Sequence, residues 1–141
     1  MANLTRLITQ GTPSEVGAMH GAAFASEIRA YVDDRIVLSG IGTDLDRDGI
    51  VGIASGMLDA HERYDADLFV EMTALADAAG ISPEEAVIVG GFTDFIDTVR
   101  ALGGGTGFED SCTSVITTDA QSEGAGFLAQ TWDMHASATP H

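Results

Sequence analysis

The chain has 141 residues, of which 45% are hydrophobic and 20% charged, and its 22 acidic residues against 6 arginines and no lysine give a formal net charge of -16. This composition indicates a folded domain with a core and excludes a disordered chain. The negative charge repels phosphates and anionic lipids, so we expect no nucleic-acid or membrane partner. The chain has no apolar run as long as a membrane span and no signal-peptide pattern at its start, so we expect a cytoplasmic location.

The first predicted elements are a short strand and a long helix. Residues 4–10 alternate in the manner of a strand. Thr12 and Glu15 form a capping box around a proline, which predicts a helix that begins there and continues toward Leu38. The residues that we expect to point inward on this helix are Val16, Met19, Ala23, Ile28, Tyr31 and Val32.

Two glycines lie within the first half of this helix. Gly17 and Gly21 lower its intrinsic helix propensity. Glycines that lower helix propensity are typical of a helix whose backbone closely approaches another backbone. We therefore predict close packing at these two positions.

The next segment contains alternating aspartates. Asp44, Asp46 and Asp48, followed by a glycine, match the opening of a calcium-binding loop. Ser55 occupies the twelfth position, where such a loop carries a glutamate that closes the coordination shell. Two interpretations therefore stand side by side, a calcium site and an aspartate-capped turn before the next helix.

Three further helices are predicted in the middle of the chain. They cover residues 50–64, residues 67–79 and the segment from about 83 to 102. Gly80 is typical of a helix C-terminal cap, and residues 82–85 form a second capping box. The third helix is the most apolar, so we expect it to be the most buried.

The only cysteine lies where helical patterns give way to strand patterns. Cys112 follows a glycine-rich run and opens a predicted hairpin, with strands over 112–118 and 126–134. A lone cysteine forms no internal disulfide, so its thiol is a small packed side chain, a metal ligand with too few companions, or a nucleophile.

Three stretches resemble the isopenicillin N acyltransferase-like (acyl-CoA:aminopenicillanic acid acyltransferase) family of N-terminal-nucleophile (Ntn) hydrolases. The residues that carry the resemblance are Gly11, Pro13, Glu15, Gly17, His20 and Gly21, then residues 76–92, then Cys112, Thr113 and Ser114 with Gln130, Thr131, Trp132 and Asp133. The chain departs from the family pattern at Thr131, where asparagine is usual, and at Ser111, where glycine is usual.

The resemblance implies an α+β fold, the αββα sandwich of Ntn hydrolases. Residues 1–111 would be its helical, propeptide-like segment, and residues 112–141 the start of the catalytic subunit with the first β-hairpin. Family members are several hundred residues long. We therefore expect the rest of the sandwich to come from a downstream catalytic chain of the same precursor, which makes the processed enzyme a heterodimer.

The chemistry of a cysteine that becomes a chain terminus agrees with this resemblance. Attack of the Cys112 thiol on the preceding carbonyl gives a thioester, and its hydrolysis frees an α-amine whose pKa is about 7.7 to 8.0. That amine then serves as base for the thiol. The resemblance implies an amidohydrolase or acyltransferase that is cleaved between Ser111 and Cys112.

The substrate implied by the family is a small molecule with a non-standard amide or another acyl donor, processed through an S-acyl enzyme without a cofactor. Asp133 would orient the amine, and Thr131, Trp132 and His135 are possible pocket residues. Two alternatives stay open. One is a non-catalytic scaffold or partner chain of the same fold, and the other is a calcium-dependent helical binding module.

Overall fold

The computed structural model describes residues 5–105 and 112–131. The chain divides into two compact units, Met1–Gly107 and Phe108–His141. The protein is a mixed α and β structure, mostly helical, with a small two-stranded antiparallel sheet. No helix in the described ranges combines the length and the apolar character that crossing a membrane requires.

The described part of the first unit contains seven helices, and that of the second contains two strands joined through a short 3₁₀ turn, Asp119–Gln121. The helices are α1 (Pro13–Ala23), α2 (Ala25–Gly40), α3 (Arg47–Ser55), α4 (Leu58–Tyr64), α5 (Ala66–Ala79), α6 (Pro83–Gly90) and α7 (Phe92–Leu102). The strands are β1 (Ser114–Thr117) and β2 (Phe127–Gln130).

Both predicted capping boxes are confirmed. In the first, the Thr12 amide donates to Glu15 Oε2 at 2.8 Å, and the Glu15 amide donates back to Thr12 Oγ1. Ser82 and Glu85 repeat this exchange at the start of α6. The two hydrogen bonds from Thr12 favour the ionised carboxylate and hold the pKa of Glu15 below its ordinary value of 4.5.

The predicted stop at Gly80 is also confirmed. Gly80 adopts a left-handed conformation with φ of +74°, and the Ile81 amide donates to the Ala76 carbonyl, as in a Schellman cap. Arg29 Nη1 donates to the carbonyl of Ala79 at 2.6 Å and so satisfies another terminal carbonyl of α5.

Three predicted helices are each broken into two. The breaks lie at Phe24, at Gly56 with Met57, and at Gly91. At Phe24 the backbone has φ -125° and ψ 27°, outside the helical region. Periodicity does not detect these breaks, because the apolar pattern continues on either side of one or two non-helical residues. The two glycines also lower the cost of leaving the helix.

The predicted strand over residues 4–10 is wrong for the residues that the structure describes. Residues 5–10 adopt no regular secondary structure, and Leu7 and Ile8 are exposed. A strand requires a neighbour that completes its backbone hydrogen bonds. Across the described ranges, the only strand pairing is that of β1 with β2.

The close approach predicted at Gly17 and Gly21 is confirmed. Both glycines are buried, and a Cβ at either one would overlap a main-chain carbonyl oxygen of α5, that of Glu71 or that of Leu75. This contact also explains a wrong expectation. Met19 is two residues, or about 200°, around the helix from Gly17, so it is exposed rather than inward, and Ala23 is exposed for the same reason.

The core of the helical unit lies between α2, α3, α6 and α7. Its central buried residues are Val32, Ile36, Ile50, Ala54, Val87, Ile88, Phe95 and Val99. The expected burial of the 83–102 segment is confirmed for most of its apolar positions, whereas Leu102 at its end is exposed.

Arg35 is a fully buried arginine at the edge of this core. Its guanidinium carbon lies 4.2 Å from the ring centroid of Tyr31 and 4.6 Å from that of Phe92. Its Nη2 atom is also 3.4 Å from a carboxylate oxygen of Asp34. The aromatic faces and the carboxylate supply attractive electrostatic contacts to a charge that is removed from water.

Arg47 connects the start of α3 to two other helices. Nη1 lies 3.0 Å from Asp33 Oδ1 on α2, and Nη2 lies 2.7 Å from Glu85 Oε1 on α6. The hydrogen bond to Glu85, followed by the one to Asp33, raises the pKa of Arg47. Glu85 therefore takes part in both a capping box and an interhelical ion pair.

Candidate functional site around Cys112

Cys112 lies two residues before β1. Its thiol is free and its side chain is exposed. The predicted hairpin is confirmed in the described residues, with β1 at Ser114–Thr117 and β2 at Phe127–Gln130. Residues 132–134 of the predicted second strand lie outside the described ranges. The cysteine therefore immediately precedes a hydrogen-bonded β-structure and is accessible to solvent.

The register of the hairpin is fully determined. The facing pairs are Ser114 with Gln130, Val115 with Ala129, Ile116 with Leu128, and Thr117 with Phe127. Facing residues in an antiparallel pair share one side of the sheet, and this side alternates along the strand.

A threonine hydroxyl supplements the backbone pairing at each end of this ladder. Next to Cys112, the Thr113 amide donates to Thr131 Oγ1 at 3.1 Å, and the Thr131 amide donates to the Thr113 carbonyl at 2.9 Å. At the other end, the Phe127 amide donates to Thr117 Oγ1 at 3.2 Å.

The hairpin presents apolar side chains on both of its sides. Ile116 and Leu128 lie on one side, each 76% exposed, and Val115 and Phe127 lie on the other, where both are also exposed. An isolated two-stranded hairpin is at best marginally stable in water. Exposed apolar side chains on both sides are typical of strands that are covered on both faces in a complete fold.

Several predicted site residues fall outside the described ranges. They are Ser111, Trp132, Asp133 and His135. Of the remaining candidates, Thr131 is brought next to Thr113, the neighbour of Cys112. The resemblance suggests Thr131 as a pocket residue, and in the structure its hydroxyl oxygen accepts the Thr113 amide. Thr117, at the opposite end, was not singled out from the sequence, because its role depends on the cross-strand register.

The aspartate segment before α3 forms a helix cap. Asp46 is the N-cap, and its Oδ1 accepts the Gly49 amide at 2.9 Å. This geometry confirms the aspartate-capped turn. Within residues 5–105 and 112–131, no group of three or more histidine, cysteine or acidic side chains is arranged to hold a metal ion, and this statement includes Asp44, Asp46 and Asp48.

His20, which belongs to the first stretch of the family resemblance, is exposed on α1. Its ring meets that of Phe24 edge to face, with 5.8 Å between the ring centroids. His20 therefore lies away from the buried side of α1, which carries Gly17 and Gly21.

Comparison with known proteins adds no family. No protein-family model matches this chain, and a search of curated proteins finds no significant match. A function for Cys112 is therefore inferred from its position, from its chemistry and from the motif resemblance.

Proposed function

We propose that this chain supplies the helical, propeptide-like segment and the first catalytic hairpin of a cysteine Ntn amidohydrolase or acyltransferase. Its activation would be self-cleavage between Ser111 and Cys112. The observation that carries the proposal is the exposed thiol of Cys112, located directly before the β-ladder. This placement combines access for water and substrate with a hydrogen-bonded peptide directly after the nucleophile.

The first step is an N-to-S acyl shift. The Cys112 sulfur bonds to the carbonyl carbon of Ser111, the peptide C–N bond breaks, and the nitrogen takes the proton of the thiol. Water then hydrolyses the thioester, which leaves a carboxylate on Ser111 and a free α-amine and thiol on Cys112. The chain before cleavage is in this sense a zymogen.

The second step uses the new terminus on a substrate. The α-amine, with an ordinary pKa of about 7.7 to 8.0, accepts the thiol proton near neutral pH. The thiolate attacks the carbonyl of a small-molecule amide or other acyl donor, and the S-acyl enzyme passes its acyl group to water or to an amine. In this proposal Asp133 orients the amine, Trp132 and His135 border the substrate, and no cofactor takes part.

The apolar sides of the hairpin fit a sheet that is covered on both faces, as in the Ntn sandwich. Each sheet of an αββα sandwich packs against the other sheet on one side and against helices on its other side. Such a strand pair needs apolar groups on both sides, as found at Ile116 and Leu128 and at Val115 and Phe127. We propose that further strands of a downstream catalytic chain from the same precursor cover them.

Intact mass and amino-terminal sequencing of the protein, expressed from its complete reading frame, test this function. We expect a second amino terminus that begins Cys-Thr-Ser-Val in the wild type and a single uncut chain in Cys112→Ala. Ser114→Ala, which changes a neighbouring residue and leaves the thiol in place, is the matched control and is expected to be cut.

A wild-type chain that stays uncut and whose thiol does not react with iodoacetamide would contradict the proposal and favour a non-catalytic scaffold. Far-ultraviolet circular dichroism of each variant checks that the helical unit has folded, so that loss of cleavage is not confused with loss of structure.

A further inference from the structure

Thr131 holds two consecutive peptide groups that follow Cys112. Its main-chain amide donates to the Thr113 carbonyl at 2.9 Å, and its side-chain Oγ1 accepts the Thr113 amide at 3.1 Å. The first contact is available to any residue except proline. The second depends on the hydroxyl, so the side chain at position 131 determines it.

The second contact acts directly on the cysteine. The Thr113 amide and the Cys112 carbonyl belong to one planar peptide group, so a hydrogen bond that fixes the amide also fixes the orientation of that carbonyl. Cys112 can then rotate only about its own backbone bonds and about its side-chain bond. A smaller range of orientations raises the fraction of molecules in which the thiol is placed for attack.

We infer that Thr131 is a positioning residue for Cys112, which it orients by accepting the Thr113 amide. This inference rests on the proposed function, because it assigns Thr131 a part in the self-cleavage and acyl transfer of the same thiol. The hydroxyl does not contact the reacting atoms in this role. It reduces the motion of the peptide that carries them.

The chain offers a closely matched control for this contact. Thr117 Oγ1 accepts the Phe127 amide at 3.2 Å, which is the same type of cross-strand bond at the far end of the ladder. Thr131→Val and Thr117→Val each replace the hydroxyl by a methyl group and keep a β-branched side chain that suits a strand. Only the first removes the bond beside Cys112.

The experiment follows the uncut fraction by intact mass at intervals after cell-free synthesis of the full chain. We expect Thr131→Val to slow cleavage about tenfold, as expected for the loss of one hydrogen bond worth about 1.4 kcal/mol in the reacting arrangement. Thr131→Ser, which restores the hydroxyl, should recover most of the rate, and Thr117→Val should cleave at the wild-type rate. The pH dependence of cleavage should keep its shape, because the hydroxyl changes orientation and not ionisation.

Three outcomes of this experiment would overturn the positioning role of Thr131, each for a different reason. Equal slowing by Thr131→Val and Thr117→Val would show a general effect of hairpin stability and overturn the positioning role. Wild-type cleavage by Thr131→Val would also overturn that role, while the proposed function would stand. A wild-type protein that does not cleave would instead remove the proposed function, and the role of Thr131 with it. Amide hydrogen exchange at Thr113 checks that the serine variant forms the bond and that the valine variant lacks it.

Discussion

Gly17 of α1 faces the main-chain carbonyl of Glu71 on α5 with no space for a side chain between them. Replacement of Gly17 by alanine therefore forces two backbones apart. We expect Gly17→Ala to lower the free energy of unfolding by about 1 to 3 kcal/mol, the usual cost of overpacking. Urea denaturation followed by circular dichroism measures this change.

Gly52 on α3 is the matched control for this effect, because a Cβ added there meets nothing within 4 Å. Gly52→Ala should raise the stability by about 0.5 to 1 kcal/mol through the higher helix propensity of alanine. A Gly17→Ala protein as stable as Gly52→Ala would contradict the close contact between α1 and α5.

The first capping box predicts that the stability of the protein depends on pH. Hydrogen bonds from Thr12 lower the pKa of Glu15 in the folded protein. The contribution of Glu15 to stability is therefore complete above the pKa of the unfolded chain, ordinarily 4.5, and is lost as the pH falls through the lower pKa of the folded protein. The stability of the wild type relative to Glu15→Gln should be greatest near neutral pH and disappear in acid. Thermal unfolding of both proteins at a series of pH values measures the difference.

Glu62→Gln is the control, because Glu62 is an exposed glutamate on α4. At neutral pH this substitution should change the stability less than Glu15→Gln does. A constant difference between wild type and Glu15→Gln down to strongly acidic pH would be inconsistent with the lowered pKa.

The ion pairs of Arg47 predict that the stability of the protein depends on salt concentration. Arg47 contacts Asp33 and Glu85, but it is 49% exposed, so solvent weakens both interactions. We expect Arg47→Gln to lower the free energy of unfolding by about 1 kcal/mol at low salt and by less in 1 M sodium chloride. Arg6→Gln removes the same charge at an exposed position outside every helix, and it should change the stability much less.

The aspartate segment before α3 gives a prediction about calcium. Asp46→Ala removes the N-cap and should cost about 1 kcal/mol, while Asp48→Ala leaves the cap in place and should cost less. The melting temperature of the wild type should be the same with millimolar calcium and with a chelator. A rise with calcium that is lost in both variants would instead support the calcium-binding module.

The features that sequence patterns predicted correctly depend on residues close together in the chain. The capping boxes of Thr12 and Ser82 join residues three apart, and the stop at Gly80 depends on the conformational freedom of one glycine. The hairpin after Cys112 likewise pairs two strands that follow each other directly in the chain. Such features are decided by side-chain chemistry at fixed spacing, which is visible in a single sequence.

The amino-acid sequence by itself determined the capped starts of α1 and α6, the hairpin, and the presence of one cysteine just before it. Only the tertiary structure decided where the long helical patterns break and that Arg47 connects three helices. It also decided that the hydroxyl of Thr131, the residue after β2, accepts the amide of the peptide after Cys112. Residues 5–10 have an alternating sequence pattern but form no strand, because a strand also needs a neighbouring strand to complete its hydrogen bonds. The reason is physical: Arg47 bonds to residues 14 and 38 positions away and Thr131 to one 18 positions away, so these contacts exist only once folding has brought the partners together.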